Sequence, residues 1–308
     1  MMNLFQLKIK SYFLLLITLT FTNFIFAQTS KEKSYSIIAK GAVLTKLSNQ
    51  FSFTEGPAAD KKGNIYFTDQ PNNRIMKWSV KGKLSVFMEN AGRANGLYFD
   101  HKGNLLACAD EKNELWKIDK NKNHTVLLNN FEGKRLNGPN DLWVDPKGGI
   151  YFTDPFYQRD YWTHTSKEIE KECVYYLSPD KSKIINVEND LVKPNGIIGT
   201  SDGKTLFVAD IAGNKTYSYT IENNGSLGKK TLFTESGSDG MTIDESGNIY
   251  LCGKGVTIFN PKGEKIAHID VPESWTANVC FGGKKFKTLF ITAGKSVYTI
   301  VMKVRGMK

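Results

Sequence analysis

Histidine is scarce in this chain, four in 308 residues, and none of His101, His124, His164 and His268 falls in a metal-binding spacing such as H-E-x-x-H. A metalloprotease site of that kind is excluded. Cysteine is equally sparse: Cys108, Cys173, Cys252 and Cys280 form no C-x-x-C pair, and each lies in or beside an apolar, strand-like segment. A chain this long has no need of a disulfide framework, so free buried thiols are expected. No G-x-S-x-G turn is present to mark a nucleophilic serine, and no glycine-rich loop follows a strand and opens a helix. Sustained apolar spacing of three and four is missing too, which argues against helices. No Pro/Ser-rich stretch or charge block divides the chain.

Long apolar runs are confined to the N-terminus. Lys8 and Lys10 precede an apolar run from Tyr12 to Phe26, which ends in the small Ala27. This reads as a secretory leader cleaved after Ala27, leaving residues 28–308 as a single domain exported to the periplasm or beyond. No later run approaches the roughly 20 apolar residues that span a bilayer, so no membrane attachment is expected once the leader is gone. The 41 basic side chains outnumber the 31 acidic ones. They are scattered through turn-like pieces such as "DKKGN" and "GGKKFK", whereas a nucleic-acid groove needs them clustered on one face. Nucleic acid is therefore not an expected partner, and a monomer or dimer is expected.

What the chain does have is a repeated phrase. "EGPAADKKGNIYFTD" from Glu55, "NGLYFDHKGNLLACAD" from Asn95, "NDLWVDPKGGIYFTD" from Asn140, "NGIIGTSDGKTLFVAD" from Asn195 and "DGMTIDESGNIYLCG" from Asp239 align, with a degenerate copy, "NVCFGGKKFKTLFITA", from Asn278. In each, a short apolar run leads into a turn, usually Asp-x-x-Gly, and a second apolar run follows. The Asp can accept hydrogen bonds from the turn backbone, and the Gly supplies the positive φ of a tight hairpin. Further strand-like runs such as "RIMKWSV" and "LSVFM" come after most copies. Four strands per unit, at spacings of about 40 to 55 residues, predict an all-β, six-bladed propeller with four-stranded antiparallel blades. The segment before Glu55 is expected to close the ring against a last blade completed by "SVYTIVMKV".

The residue that opens each copy carries a side-chain oxygen: Glu55, Asn95, Asn140, Asn195, Asp239 and Asn278. Equivalent positions of a propeller encircle its axis, so these six are expected to converge. Such an oxygen ring suits a hard divalent cation, Ca²⁺ first, with Zn²⁺ or Mn²⁺ also compatible. Asn and Asp before Gly are also ordinary turn residues, which accounts well for Asn95 and Asn278 and poorly for Glu55. An insertion after the third copy, "FYQRDYWTHTSKEIEKE", is dense in aromatics. Tyr161 and Trp162 are expected over the channel mouth, stacked on a substrate ring, unless the loop merely packs on itself.

"FTEGPAADKKGNIYFTD", "GPNDLWVDPKGGIYFTDP", "KPNGIIGTSDGKTLFVAD" and "DGMTIDESGNIYLCG" resemble the successive blade motifs of the senescence marker protein-30, gluconolactonase and luciferin-regenerating-enzyme family, in the "GPND" form of its bacterial gluconolactonase branch. The resemblance runs from about Ala42 to Gly306. It implies a metal-dependent lactonase acting on a small sugar lactone. It also implies Glu55, Asn195 and Asp239 as metal ligands, Asn140 beside them as ligand or substrate contact, and Asp239 as the proton acceptor and donor; Asn95, as a further member of the ring, is expected to contact substrate. Animal members carry an arginine where this chain has Gly138. A phosphotriesterase on the same site, and a non-enzymatic propeller with a structural ion, stand as alternatives.

Overall fold

A computed structural model describes residues 37–307 of the chain; the expected leader, residues 1–27, lies outside them. Among the described residues there is no α-helix, only the two 3-10 turns Gln70–Asn72 and Asp110–Lys112. The strands form six four-stranded antiparallel sheets and one small two-stranded hairpin. The innermost strands of blades 1 to 6 are Thr54–Ala59, Ala94–Phe99, Leu142–Val144, Pro194–Gly199, Met241–Ile243 and Thr276–Gly282. Each lies against the inner strands of both neighbours, so the six close around an axial channel. This is the expected six-bladed propeller.

Each repeated phrase is the inner hairpin of one blade, and the turn chemistry is the one the sequence implies. In blade 1 Asp60 Oδ1 accepts the Lys62 and Asn64 N–H groups, both at 2.9 Å. In blade 3 Asp145 Oδ1 holds Lys147 and Gly149, both at 2.8 Å. The ring closes as expected, with Thr45–Ser48 pairing antiparallel with Ser296–Val301 as the outer strand of blade 6. One sheet is thus built from both ends of the chain, which ties the propeller shut.

The second strand of each blade is sandwiched between neighbouring sheets. Ile65–Asp69 and Ile150–Asp154 are buried at every position, which is why each opens on three consecutive apolar residues instead of an alternating pattern. All four cysteines are free and buried, as expected.

The glycines that follow the ring residues have a reason other than a turn. Gly196 sits inside a strand, and a Cβ there would come within 2.2 Å of the Asp239 carbonyl oxygen. A Cβ on Gly240 would fall 1.8 Å from Cγ of Asn278. Glycine at these places lets adjacent inner strands approach closely and brings the residues before them to the axis.

Candidate active site

All six opening residues, Glu55, Asn95, Asn140, Asn195, Asp239 and Asn278, are buried at the channel end opposite the Asp-x-x-Gly turns. They reach it because each stands at or just before the start of its inner strand. Their oxygens are not equally occupied. Glu55 Oε2 accepts the Gly56 N–H at 2.8 Å, and Asp239 Oδ2 accepts the Trp275 indole N–H at 2.6 Å. Asn278 Oδ1 accepts the Val279 N–H at 2.8 Å. Asn195 donates its Nδ2 to the Tyr157 hydroxyl at 3.1 Å, while its buried Oδ1 has no partner at all.

Two buried carboxyls beside an orphaned carbonyl oxygen create an electrostatic problem. Burial and then the Asp239 charge push the Glu55 carboxyl well above the usual range. Burial likewise raises Asp239 to about 6, against the opposing pull of its Trp275 hydrogen bond. Positive charge arriving between them would favour the ionised form of both. Among the described residues no three His, Cys, Asp or Glu side chains gather to hold a metal, so any ion here must take amide oxygen as well. The Asn195 Oδ1 supplies it. The donor set Glu55, Asn195 and Asp239 therefore fits a hard divalent cation.

The insertion lies over this end of the channel, with several of its ties converging on Asp110. Asp110, buried in blade 2, accepts Arg159 Nε at 2.8 Å and the Tyr161 hydroxyl, and its backbone carbonyl accepts the Trp162 indole N–H at 2.7 Å. Tyr161 lies under the Arg93 guanidinium, 4.5 Å from its ring, and Trp162 is buried against Phe156 and His164. The two aromatics expected to face substrate thus pin the insertion down, and Tyr157 is the insertion aromatic that touches a ring residue. Gly138 lies beneath this anchor: a Cβ there would stand 3.1 Å from both Asp110 Oδ1 and Trp162 Cη2. A side chain there would be strained by the φ of +150° and would crowd both groups. Arg159 brings the positive charge instead, and its field lowers the Asp239 pKa.

Two residues escaped the sequence reading. Asp141, next to Asn140, is buried and raised to about 7 by that burial. It accepts the Leu142 N–H at 2.9 Å and, across the channel, Asn278 Nδ2 at 3.3 Å. The signal was available: copy three alone has Asp where the other well-formed copies have Gly. Trp275 precedes the ring residue of blade 6 in a loop, and its bond to Asp239 crosses between blades, so no local pattern could reveal it.

A cavity of about 910 Å³ forms the other half of the channel, at the hairpin-turn end, walled by Tyr98, Trp143, Ile243 and Phe281 with Lys61 and Lys62 nearby. Glu55, Asn195 and Asp239 are not among its walls. Asp141 and Asn278 line it, and their hydrogen bond divides the two halves.

Comparison with known proteins agrees with this fold. Residues 53–295 match the model of the SMP-30/Gluconolactonase/LRE-like region. A gluconolactonase of Zymomonas mobilis is 31% identical over 291 residues, covering 84% of this chain and 81% of that protein. Diisopropyl-fluorophosphatase of Loligo vulgaris is 26% identical, covering 81% and 88%. The solved structure of a gluconolactonase from Xanthomonas campestris superposes with a TM-score of 0.81 at 26% identity, covering 87% of this chain and 91% of that one. The chain belongs to the SMP-30/gluconolactonase/LRE-like family.

Proposed function

We propose that the protein is an exported lactonase that opens a sugar lactone to its aldonic acid with the help of one divalent cation, Ca²⁺ foremost. The lactonase reading is supported by the 31% identity to a gluconolactonase. The observation that carries cation dependence is the partnerless Asn195 Oδ1 beside the buried carboxyls of Glu55 and Asp239.

When bound, the cation supplies Lewis-acid polarisation of the lactone carbonyl. The chain supplies the rest. Glu55, Asn195 and Asp239 hold the cation, and Asn140 and Asn95 line the space where substrate enters. Trp275 fixes one oxygen of Asp239, leaving the other to take a proton from the attacking water. That proton then passes to the ring oxygen as the C–O bond breaks, so Asp239 ends as it began. Arg159, held by Asp110, adds positive potential above the site, and the insertion limits access of bulk water.

The test is proton release from glucono-1,5-lactone at constant pH by chelator-treated protein, with Ca²⁺, Zn²⁺ or Mn²⁺ returned singly. Turnover restored by one of these ions is the expected result. Turnover of diisopropyl fluorophosphate alone would replace the lactonase reading with a phosphotriesterase. A fully active chelated protein would remove the cation from the mechanism.

A further inference from the structure

A second cavity, of about 340 Å³, opens on the same end of the propeller between blades 4 and 5. Its walls include Asn214, Ser236, Ser238, Lys254, Thr257 and Trp275. Trp275 connects it to the chemistry, because the indole whose N–H holds Asp239 Oδ2 at 2.6 Å also forms the cavity wall. At 36% exposure, Trp275 is the one aromatic among the exposed large apolar side chains of the described residues. The ring is immobilised twice, by that hydrogen bond and by lying over Gly253, where a Cβ would stand 3.9 Å from its Cη2.

The polar complement lies around it. Asn214 spends its Oδ1 on the Gly237 N–H at 3.2 Å, which leaves its amide N–H₂ without a protein partner among the described residues. Lys254 is exposed and makes no ion pair there either. An apolar ring face with hydrogen-bond donors at its edge matches a pyranose, whose axial C–H groups form an apolar face and whose hydroxyls project around the rim. The volume stands at the small end of ligand pockets, about 300–1,000 Å³, enough for one such ring.

We propose that this side cavity is a subsite for a second pyranose, so that the substrate class is a glycosylated aldonolactone rather than a single-ring lactone. The proposal rests on the lactonase reading for its chemistry. Water adds at the lactone C1, the bond from C1 to the ring oxygen breaks, that oxygen takes the proton, and the glycosidic bond stays intact. The second ring, seated on Trp275, positions the lactone against Asp239.

The test compares cellobiono-1,5-lactone with glucono-1,5-lactone in the hydrolysis assay, and cellobionate with gluconate by calorimetric titration of the cation-loaded full chain. The wild-type protein is expected to bind cellobionate at least about 10-fold more tightly than gluconate. Thr257→Trp, which fills the cavity without touching Asp239, is expected to erase that preference and leave gluconate unchanged. If Thr257→Trp does not fold, Lys254→Ala at its exposed position is read instead and is expected to weaken cellobionate alone, about threefold. Equal affinities in the wild type, or a preference that survives these variants, would overturn the subsite. Should neither lactone be hydrolysed while cellobionate still binds better, the lactonase reading falls and the subsite stands.

Discussion

Two sets of buried polar side chains occupy the same end of this propeller, and they are partnered differently. Asp69, Asp154 and Asp210 end the second strands of blades 1, 3 and 4. Each gathers backbone N–H groups two and three residues before a ring residue. Asp69 Oδ1 takes Ser52 and Phe53, Asp154 takes Asn137 and Gly138, and Asp210 takes Val192 and Lys193. Among Glu55, Asn195 and Asp239, a few residues away, the Asn195 Oδ1 is buried with no partner. The first set fixes the backbone that aims the second. A buried polar oxygen without a partner, more than burial or cavity size, separates the group that awaits a ligand from the structural carboxylates.

Asp110 marks the boundary between the two. It occupies the same place in blade 2, yet it holds the insertion through Arg159 and Tyr161 instead of the preceding backbone. Arg93 N–H, which it would otherwise hold, goes to Asn73 Oδ1 at 2.7 Å. One blade has released its clamp to fasten a cover over the mouth.

The comparison breaks first at Asp239. Asp239→Asn is expected to lower kcat/KM by about 10²–10⁴-fold with an unchanged circular dichroism spectrum; retention of full activity would remove Asp239 as the proton carrier. The clamps should show the reverse pattern. Asp210→Ala strands three N–H groups, those of Val192, Lys193 and Gly213, and is expected to cost about 2–3 kcal/mol in urea unfolding, while activity per folded molecule stays within a few-fold. Asp110→Asn should destabilise less, because the insertion can lift away without unravelling a blade, and its effect should appear as a raised KM. Equal losses of stability would erase the distinction between clamp and anchor.

The smallest effect concerns pH. Burial raises Asp141 and Asp154 to about 7 and Asp239 to about 6, whereas an aspartate in the unfolded chain titrates near about 3.9. The native state keeps these protons over a window in which the unfolded chain has lost them. Cation-free protein should therefore lose stability as pH climbs from about 4 to about 7. A cation that needs ionised Glu55 and Asp239 should reverse the trend above that window, adding about 2.7 kcal/mol at a hundredfold excess over its Kd and far less at pH 5. Thermal midpoints at pH 5 and 7.5, with and without Ca²⁺, check both halves. A midpoint that neither pH nor ion moves would count against a cation at these carboxyls.

Much of this was written locally. The hairpin chemistry of Asp60 and Gly63, the consecutive apolar residues that open the second strands and the spacing of the repeats determined the blade, its number and the closure by the N-terminal strand, because turns and strand burial depend on neighbours a few residues apart. The oxygen ring was legible for the same reason: repetition makes position in the blade readable from position in the phrase. What the tertiary structure decided depends on meetings between blades. Only folding brings Trp275 of blade 6 to Asp239 of blade 5, sets Asn278 across the channel from Asp141, and turns Tyr161 and Trp162 toward Asp110 instead of the channel. Side chains distant in sequence compete for the same few buried polar partners, and the outcome of that competition is fixed by the packed structure.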